Sequence, residues 1–140
     1  MAVKLVLLDK SAYVRGSVGA EDVDELCLCA VTRLELLHSA RSRAHYERLE
    51  GDLTAFRDLR MDIETFSVAV GAQRELAATG HHRVAVADLL IAACAHQYGA
   101  DVLHVDRHYD VLARVLSFTP RRPQGSRTPS PVGRPRPGER

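Results

Sequence analysis

The sequence predicts an α/β domain in which a mostly parallel central sheet carries helices on both of its faces. Short apolar runs, such as residues 3–8, alternate along the chain with segments of helical periodicity. A run this short and nearly free of charge is typical of a strand buried on both faces. Alternation of strands with helices favours parallel pairing, because each helix returns the chain to the same end of the sheet.

The first half of the chain is predicted to supply three strands and two longer helices. The first strand ends at Asp9, and Thr32 opens the helix that follows the second strand. Leucines at helical spacing among charges predict an amphipathic, solvent-facing helix further on. The predicted elements are a strand at 3–8, a helical turn at 11–15, an acidic loop at 21–25, a strand at 26–30, a helix at 45–59 and a short strand at 61–64.

The second half is organised around one buried helix. Residues 86–97 are apolar almost all round, with Asp88 as their one charge, so this helix is predicted to be central. The helix before it stops ahead of Gly80, a residue suited to ending helices. The predicted elements are helices at 66–78, 86–97 and 109–115, a strand at 102–105 that leads into Asp106, and a last strand at 116–119.

The composition changes abruptly near Pro120. All six prolines lie between Pro120 and Pro137, and the last 21 residues contain six arginines against one glutamate. These residues contain one sizeable aliphatic side chain and cannot offset the entropy lost on ordering. We therefore predict one domain at residues 1–119, with a net charge of −4, and a disordered tail at 120–140, with a net charge of +5.

Cysteine usage and hydropathy predict a soluble cytoplasmic protein. Three cysteines without a signal-peptide pattern indicate a reducing compartment. Cys27 and Cys29 alternate along a strand and have no second pair, so core packing is preferred over zinc binding. The longest apolar stretch, residues 84–95, is shorter than the roughly 20 residues that a membrane span needs.

Four acidic side chains are predicted to lie at one edge of the sheet. Asp9 and Asp106 directly follow strands, and the carboxyl ends of parallel strands form the usual ligand site. Asp88 lies in the first turn of the buried helix, and Glu35 in the first turn of the helix after the second strand. Neighbouring carboxylates repel one another unless a cation compensates them. Hard ions such as Mg²⁺ or Mn²⁺ prefer these oxygen ligands.

This constellation predicts metal-dependent phosphodiester hydrolysis. A bound metal lowers the pKa of a water, which then attacks, and stabilises charge on the scissile phosphate. Structural alternatives are open for two of the acids. Glu35 can close a capping box with Thr32, and Asp88 can complement the dipole of its own helix.

The chain resembles PIN-domain proteins, and most closely the VapC-type toxins of bacterial toxin–antitoxin pairs. The resemblance covers about residues 3–118. The motifs that carry it are Leu7-Leu8-Asp9-Lys10-Ser11-Ala12, Leu34-Glu35-Leu36-Leu37, Ala87-Asp88-Leu89-Leu90-Ile91-Ala92-Ala93 and Leu103-His104-Val105-Asp106-Arg107-His108-Tyr109-Asp110. The third and fourth motifs are the specific ones.

The resemblance implies a three-layer PIN-like fold and a Mg²⁺- or Mn²⁺-dependent endoribonuclease that cuts structured RNA such as transfer or ribosomal RNA. It also implies inhibition by a cognate antitoxin and assembly into a homodimer. The implied catalytic residues are Asp9, Glu35, Asp88 and Asp106. Of these, Asp9, Asp88 and Asp106 are the expected metal ligands, and Glu35 is a ligand or an orienting base.

Two positions depart from the family pattern. Lys10 stands where the family commonly has threonine or serine, and His108 where it often has a further aspartate. His108 and Ser11 are accessory candidates, for metal binding and for contact with the phosphate or a metal water, whereas Asp110 most simply starts a helix. These departures leave an alternative open, in which the chain is a catalytically weak PIN-fold module that binds a protein partner. Another metal-dependent nuclease or phosphatase would use the same acids.

Overall fold

The computed structural model describes residues 3–17 and 19–122, in which five parallel strands form one sheet. The strands are β1 (Lys4–Leu8), β2 (Asp24–Leu28), β3 (Arg57–Asp58), β4 (Asp101–Leu103) and β5 (Thr119–Arg121). Their order across the sheet is β3-β2-β1-β4-β5. The chain therefore builds outward from β1 on one side and then on the other. The switch in direction opens a crevice at the carboxyl ends of β1 and β4, where α/β sheets bind ligands.

Helices cover both faces of this sheet, which confirms the predicted α/β fold. They are α1 (Lys10–Tyr13), α2 (Ala30–His38), α3 (Arg43–Leu53), α4 (Ile63–Ala77), α5 (Val86–Tyr98) and α6 (His108–Leu112). Buried side chains of α4, α5 and α6 share one core with Leu7 and Val102, while those of α1, α2 and α3 pack with Val6 and Leu103. Adjacent strand residues thus face opposite layers, as the pleat requires.

The predictions for the polar strands were wrong in their bounds. Strand β2 begins at Asp24, inside the predicted acidic loop, because the charges at its start are paired: Glu25 with Arg57 at 3.0 Å and Asp24 with Arg121 at 2.6 Å. The helix predicted for 45–59 ends at Leu53. Strand β3 then forms at 57–58, and the predicted strand at 61–64 is absent from the described structure.

Two helix starts also differ from the prediction. Helix α4 begins at Ile63 instead of Phe66, because Asp62 and Thr65 form a reciprocal capping box. Helix α2 begins at Ala30 instead of Thr32. The buried Thr32 hydroxyl donates to the Leu8 carbonyl at 3.0 Å, so Thr32 does not cap the helix. Glu35 consequently lies in the second turn, and the capping-box alternative for it is wrong.

The last strand lies later than predicted. Strand β5 occupies Thr119–Arg121 instead of 116–119, and α6 ends at Leu112 instead of Val115. Pro120 and Arg121, placed in the tail by composition, therefore belong to the sheet, whereas residues 123–140 of the predicted tail lie outside the described residues.

Cys27, Cys29 and Cys94 are buried in one core without disulfides, consistent with core packing. Within the described ranges, no helix has the length and apolarity to cross a membrane.

Candidate metal centre

Asp9 is held rigidly at the carboxyl end of β1. It caps α1, and its Oδ2 accepts hydrogen bonds from the Ser11 backbone N–H at 3.1 Å and the Ser11 hydroxyl at 2.6 Å. The Ser11 hydroxyl in turn accepts from the Val105 N–H at 3.1 Å, just beyond β4. Ser11 therefore ties the ends of the two central strands together and orients Asp9, so its role here exceeds the capping of a turn.

A buried tyrosine connects Asp9 to Asp88. Tyr109 on α6 is fully buried, and its hydroxyl donates to Asp9 Oδ1 at 2.8 Å and lies 3.4 Å from Asp88 Oδ1. Burial, followed by the charges of Asp9 and Asp88, raises the pKa of Tyr109 well above its ordinary value. Its hydroxyl therefore stays protonated at neutral pH and serves as a donor to this carboxylate pair.

A histidine connects Asp88 to Asp106. His108 Nδ1 lies 3.1 Å from Asp88 Oδ2 and 3.5 Å from Asp106 Oδ1. Asp106 Oδ1 also accepts from the His108 backbone N–H at 2.9 Å, which fixes the loop between β4 and α6. Asp88, Asp106 and His108 each offer a ligand atom, and these three atoms lie within 4.8 Å of one another.

His104 supports this loop from beneath. It is fully buried, and its Nδ1 accepts from the Asp106 backbone N–H at 3.0 Å. Burial lowers the pKa of His104, so the neutral ring that can accept this hydrogen bond is favoured. Its Nε2 has no hydrogen-bond partner among the described residues. The ring packs against Tyr109 with centroids 4.6 Å apart. His104 and Tyr109 together thus support the acidic cluster, which consists of Asp9, Asp88 and Asp106.

Glu35 lies at the rim of the cluster. It is partly buried on α2, and burial, followed by repulsion from Asp9 and Asp88, raises its pKa, with Lys10 acting in the opposite direction. Lys10 and Glu35 line an open depression of about 510 Å³ that continues along α2 and α3 to Tyr46. Glu35 thus faces both the acidic cluster and a space large enough for part of a ligand.

The charges at this site are unbalanced. Burial raises the pKa of Asp88, and although the His108 hydrogen bond lowers it, Asp9 and Asp106 raise it further. Within residues 3–17 and 19–122, neither lysine nor arginine forms an ion pair with Asp9, Asp88 or Asp106. Converging oxygen ligands whose charges repel one another fit a divalent cation.

The structure places the candidate residues in two groups. Asp88, Asp106 and His108 lie close together, the Ser11 hydroxyl donates to Asp9, and Tyr109 connects Asp9 to Asp88, whereas Glu35 approaches from the rim. Asp110 lies apart and pairs with Arg122 at 3.0 Å. Sequence reasoning missed Tyr109 and His104, because nothing in a local pattern shows that their polar atoms point inward.

Known sequences resemble this chain over most of its length. A family model described as "PIN domain" matches residues 5–115. Ribonuclease VapC18 of Mycobacterium tuberculosis is 40% identical over 101 residues, which cover 70% of this chain and 74% of that protein. Ribonuclease VapC17 of the same species is 39% identical over 119 residues, covering 78% of this chain and 87% of that protein.

Solved structures show the same fold at lower sequence identity. The VapBC-5 toxin–antitoxin crystal structure from Mycobacterium tuberculosis contains a chain that matches with a TM-score of 0.63 and 22% identity, covering 84% of this chain and 98% of that one. A chain of FitAcB from Neisseria gonorrhoeae matches with a TM-score of 0.61 and 24% identity, covering 81% and 96%. The architecture of β1 to β5 is therefore that of these proteins.

Proposed function

The chain belongs to the PIN-domain family, and from this membership we propose that it is the toxin ribonuclease of a toxin–antitoxin pair. Its matched relatives carry the name ribonuclease VapC, and the match spans most of their length. The observation that carries the proposal is the convergence of Asp9, Asp88 and Asp106 at the crevice between β1 and β4, bridged by Tyr109 and His108.

Mg²⁺ or Mn²⁺ is the proposed cofactor. Asp9, Asp88 and Asp106 would hold it through carboxylate oxygens, and Ser11 and Tyr109 keep the Asp9 oxygens in fixed directions. When bound, a divalent ion supplies charge that stabilises the scissile phosphate and lowers the pKa of a nearby water. Burial raises the pKa of Asp88, and the charges of Asp9 and Asp106 add to the effect; no described lysine or arginine offsets these charges by an ion pair, which supports the assignment.

Glu35 is the proposed general base. A raised pKa makes its carboxylate a stronger proton acceptor than an ordinary glutamate. It accepts a proton from the attacking water as the water oxygen bonds to phosphorus. The bond from phosphorus to the leaving ribose oxygen breaks, and that oxygen takes a proton from solvent. The partly exposed position of Glu35 allows the acquired proton to pass to water.

The proposed substrate is RNA of the structured kind, such as transfer or ribosomal RNA, and it reaches the acids through the depression beside Glu35. Lys10 at its near end can contact a phosphate next to the scissile one. Tyr46 at its far end is 40% exposed, and an exposed aromatic ring is a stacking surface for an unpaired base. A cognate antitoxin would inhibit the enzyme by covering this same route.

A homodimer is proposed through the outer face of α4 and α5. Ile63, Phe66 and Val70 follow one another at helical spacing on α4 and are all more than half exposed, as is the neighbouring Val86 on α5. Apolar side chains grouped in this way are typical of interfaces. Phe66→Glu is expected to give a monomer in sedimentation analysis, whereas Val23→Glu, at an exposed loop position, leaves the dimer intact.

The enzyme proposal is tested by RNA cleavage with the purified chain. Asp88→Asn is expected to abolish Mn²⁺-dependent cleavage and growth inhibition. Asp22→Asn, a matched change in an exposed loop, retains both. A DNA strand of the same sequence serves as the second substrate. Full activity of Asp88→Asn would contradict the catalytic role, and equal cleavage of DNA would contradict the choice of RNA.

A further inference from the structure

His108 adds a nitrogen donor to a site whose other candidate ligands are all carboxylate oxygens. We propose that His108 binds the metal directly and makes the site select first-row transition ions, Mn²⁺ among them, over Mg²⁺. The inference rests on the proposed metal site and deepens it, because it names the class of ion that this chain takes.

The position of the His108 ring favours direct binding. His108 Nδ1 lies between two carboxylates, 3.1 Å from Asp88 Oδ2 and 3.5 Å from Asp106 Oδ1, so it occupies the space toward which both acids are directed. The backbone of the same residue donates to Asp106 Oδ1 at 2.9 Å, which anchors the ring to this loop. The side chain is 47% exposed, so an ion can reach it from solvent.

The chemistry of the donor set favours transition ions. Mg²⁺ prefers oxygen ligands in a near-ideal octahedron and keeps several waters. Imidazole nitrogen favours first-row transition ions, with affinities that rise from Mn²⁺ through Co²⁺. One imidazole beside the carboxylates of Asp88 and Asp106 therefore raises affinity for Co²⁺ most, for Mn²⁺ less and for Mg²⁺ least.

Two substitutions separate direct binding from a supporting hydrogen bond. His108→Asn can still donate a hydrogen bond to Asp88, but an amide nitrogen does not bind these ions. His108→Asp replaces the nitrogen by an oxygen ligand. If His108 only supports Asp88, the asparagine variant retains the ion preference of the wild-type protein. If His108 binds the ion, both variants lose the preference for Co²⁺, and the aspartate variant gains affinity for Mg²⁺.

The experiment measures Mg²⁺, Mn²⁺ and Co²⁺ binding to the full chain by calorimetry, without RNA. The ratio of the Mg²⁺ to the Co²⁺ dissociation constant is expected to fall at least about tenfold in His108→Asp, the smaller end of the effects seen when metal-site support is altered. The visible absorption of bound Co²⁺ is expected to change in both variants. His82→Asp, at an exposed loop histidine, is the control and keeps the wild-type ratio.

The possible failures are distinguishable. Saturable binding with an unchanged ratio and an unchanged Co²⁺ spectrum in His108→Asp would overturn direct ligation by His108 while leaving the metal site intact. No saturable binding of any of the three ions to the wild-type protein would overturn the metal site itself, and the role of His108 with it. Thermal unfolding of each variant checks that the fold is retained.

Discussion

Replacing Tyr109 with phenylalanine removes one oxygen atom from the centre of the acidic cluster and leaves the packing of the ring unchanged. The lost hydroxyl donates at 2.8 Å to the buried Asp9, and its contact with Asp88 at 3.4 Å is weaker. A hydrogen bond to a charged group contributes about 1.5–3 kcal/mol. Asp9 keeps its two bonds from Ser11, so we expect the free energy of unfolding to fall by about 2 kcal/mol.

The assay is urea unfolding in a chelating buffer, because a bound ion would mask the repulsion between the carboxylates. In thermal unfolding of a domain of this size, the same loss of about 2 kcal/mol corresponds to a decrease in Tm of roughly 6–10 °C. Tyr98→Phe is the matched control, since the Tyr98 hydroxyl donates at 2.7 Å to the Arg60 carbonyl at an exposed site. We expect the control to lose less than about 1 kcal/mol. Equal losses in the two variants would refute the special role of the Tyr109 hydroxyl.

Three further predictions concern the charges and the substrate route. Asp88→Asn is expected to raise the Tm in chelating buffer by a few degrees, roughly 2–4 °C, because it removes one of the repelling carboxylates, and to abolish the Tm increase caused by Mn²⁺. Arg121→Met is expected to cost about 2–3 kcal/mol near neutral pH, since Asp24 loses its ion pair and Asp101 keeps only the one with the half-exposed Lys4. Burial alone would raise the pKa of Asp24, but hydrogen bonds from the Glu21 N–H and Arg121 outweigh it and lower the pKa. The wild-type advantage in urea unfolding is therefore complete above the ordinary aspartate pKa, and shrinks as the pH falls through it toward the lower folded value. Tyr46→Ala is expected to raise KM for RNA about tenfold with little change in kcat, in line with the loss of one stacking contact, while Tyr46→Phe retains the wild-type KM; a fall in kcat alone would contradict the proposed route.

The parts of the fold that burial dictates could be predicted from the sequence. Strand β1 and helix α5 are apolar along most of their length, and their predicted bounds lie within one residue of those observed. Strand β3 has only two residues, Arg57 and Asp58, both exposed. It exists because it pairs with β2, and such pairing depends on contacts that no local pattern records.

The site divides in the same way. Asp9 and Asp106 could be placed together because both follow strands of a parallel sheet, and Asp88 because its helix leads into β4. Tyr109 could not be placed, since its hydroxyl reaches Asp9 only through the packing of α6 against the sheet. Glu35 could not be assigned to its turn of α2, since the helix starts at Ala30, two residues earlier than the sequence predicted.

The two ends of the sheet treat their acids differently, and this contrast bears on function. At the amino end, Asp24 and Asp101 are both bound by Arg121 at 2.6 Å, and Lys4 also approaches Asp101. At the carboxyl end, the acidic cluster has hydrogen-bond donors but no lysine or arginine ion pair within the described ranges. Because this protein pairs its structural acids so closely, the acidic cluster stands out: its uncompensated charge lowers the stability of the fold. Such departures from local consistency are expected at functional sites, which supports the proposed cation site.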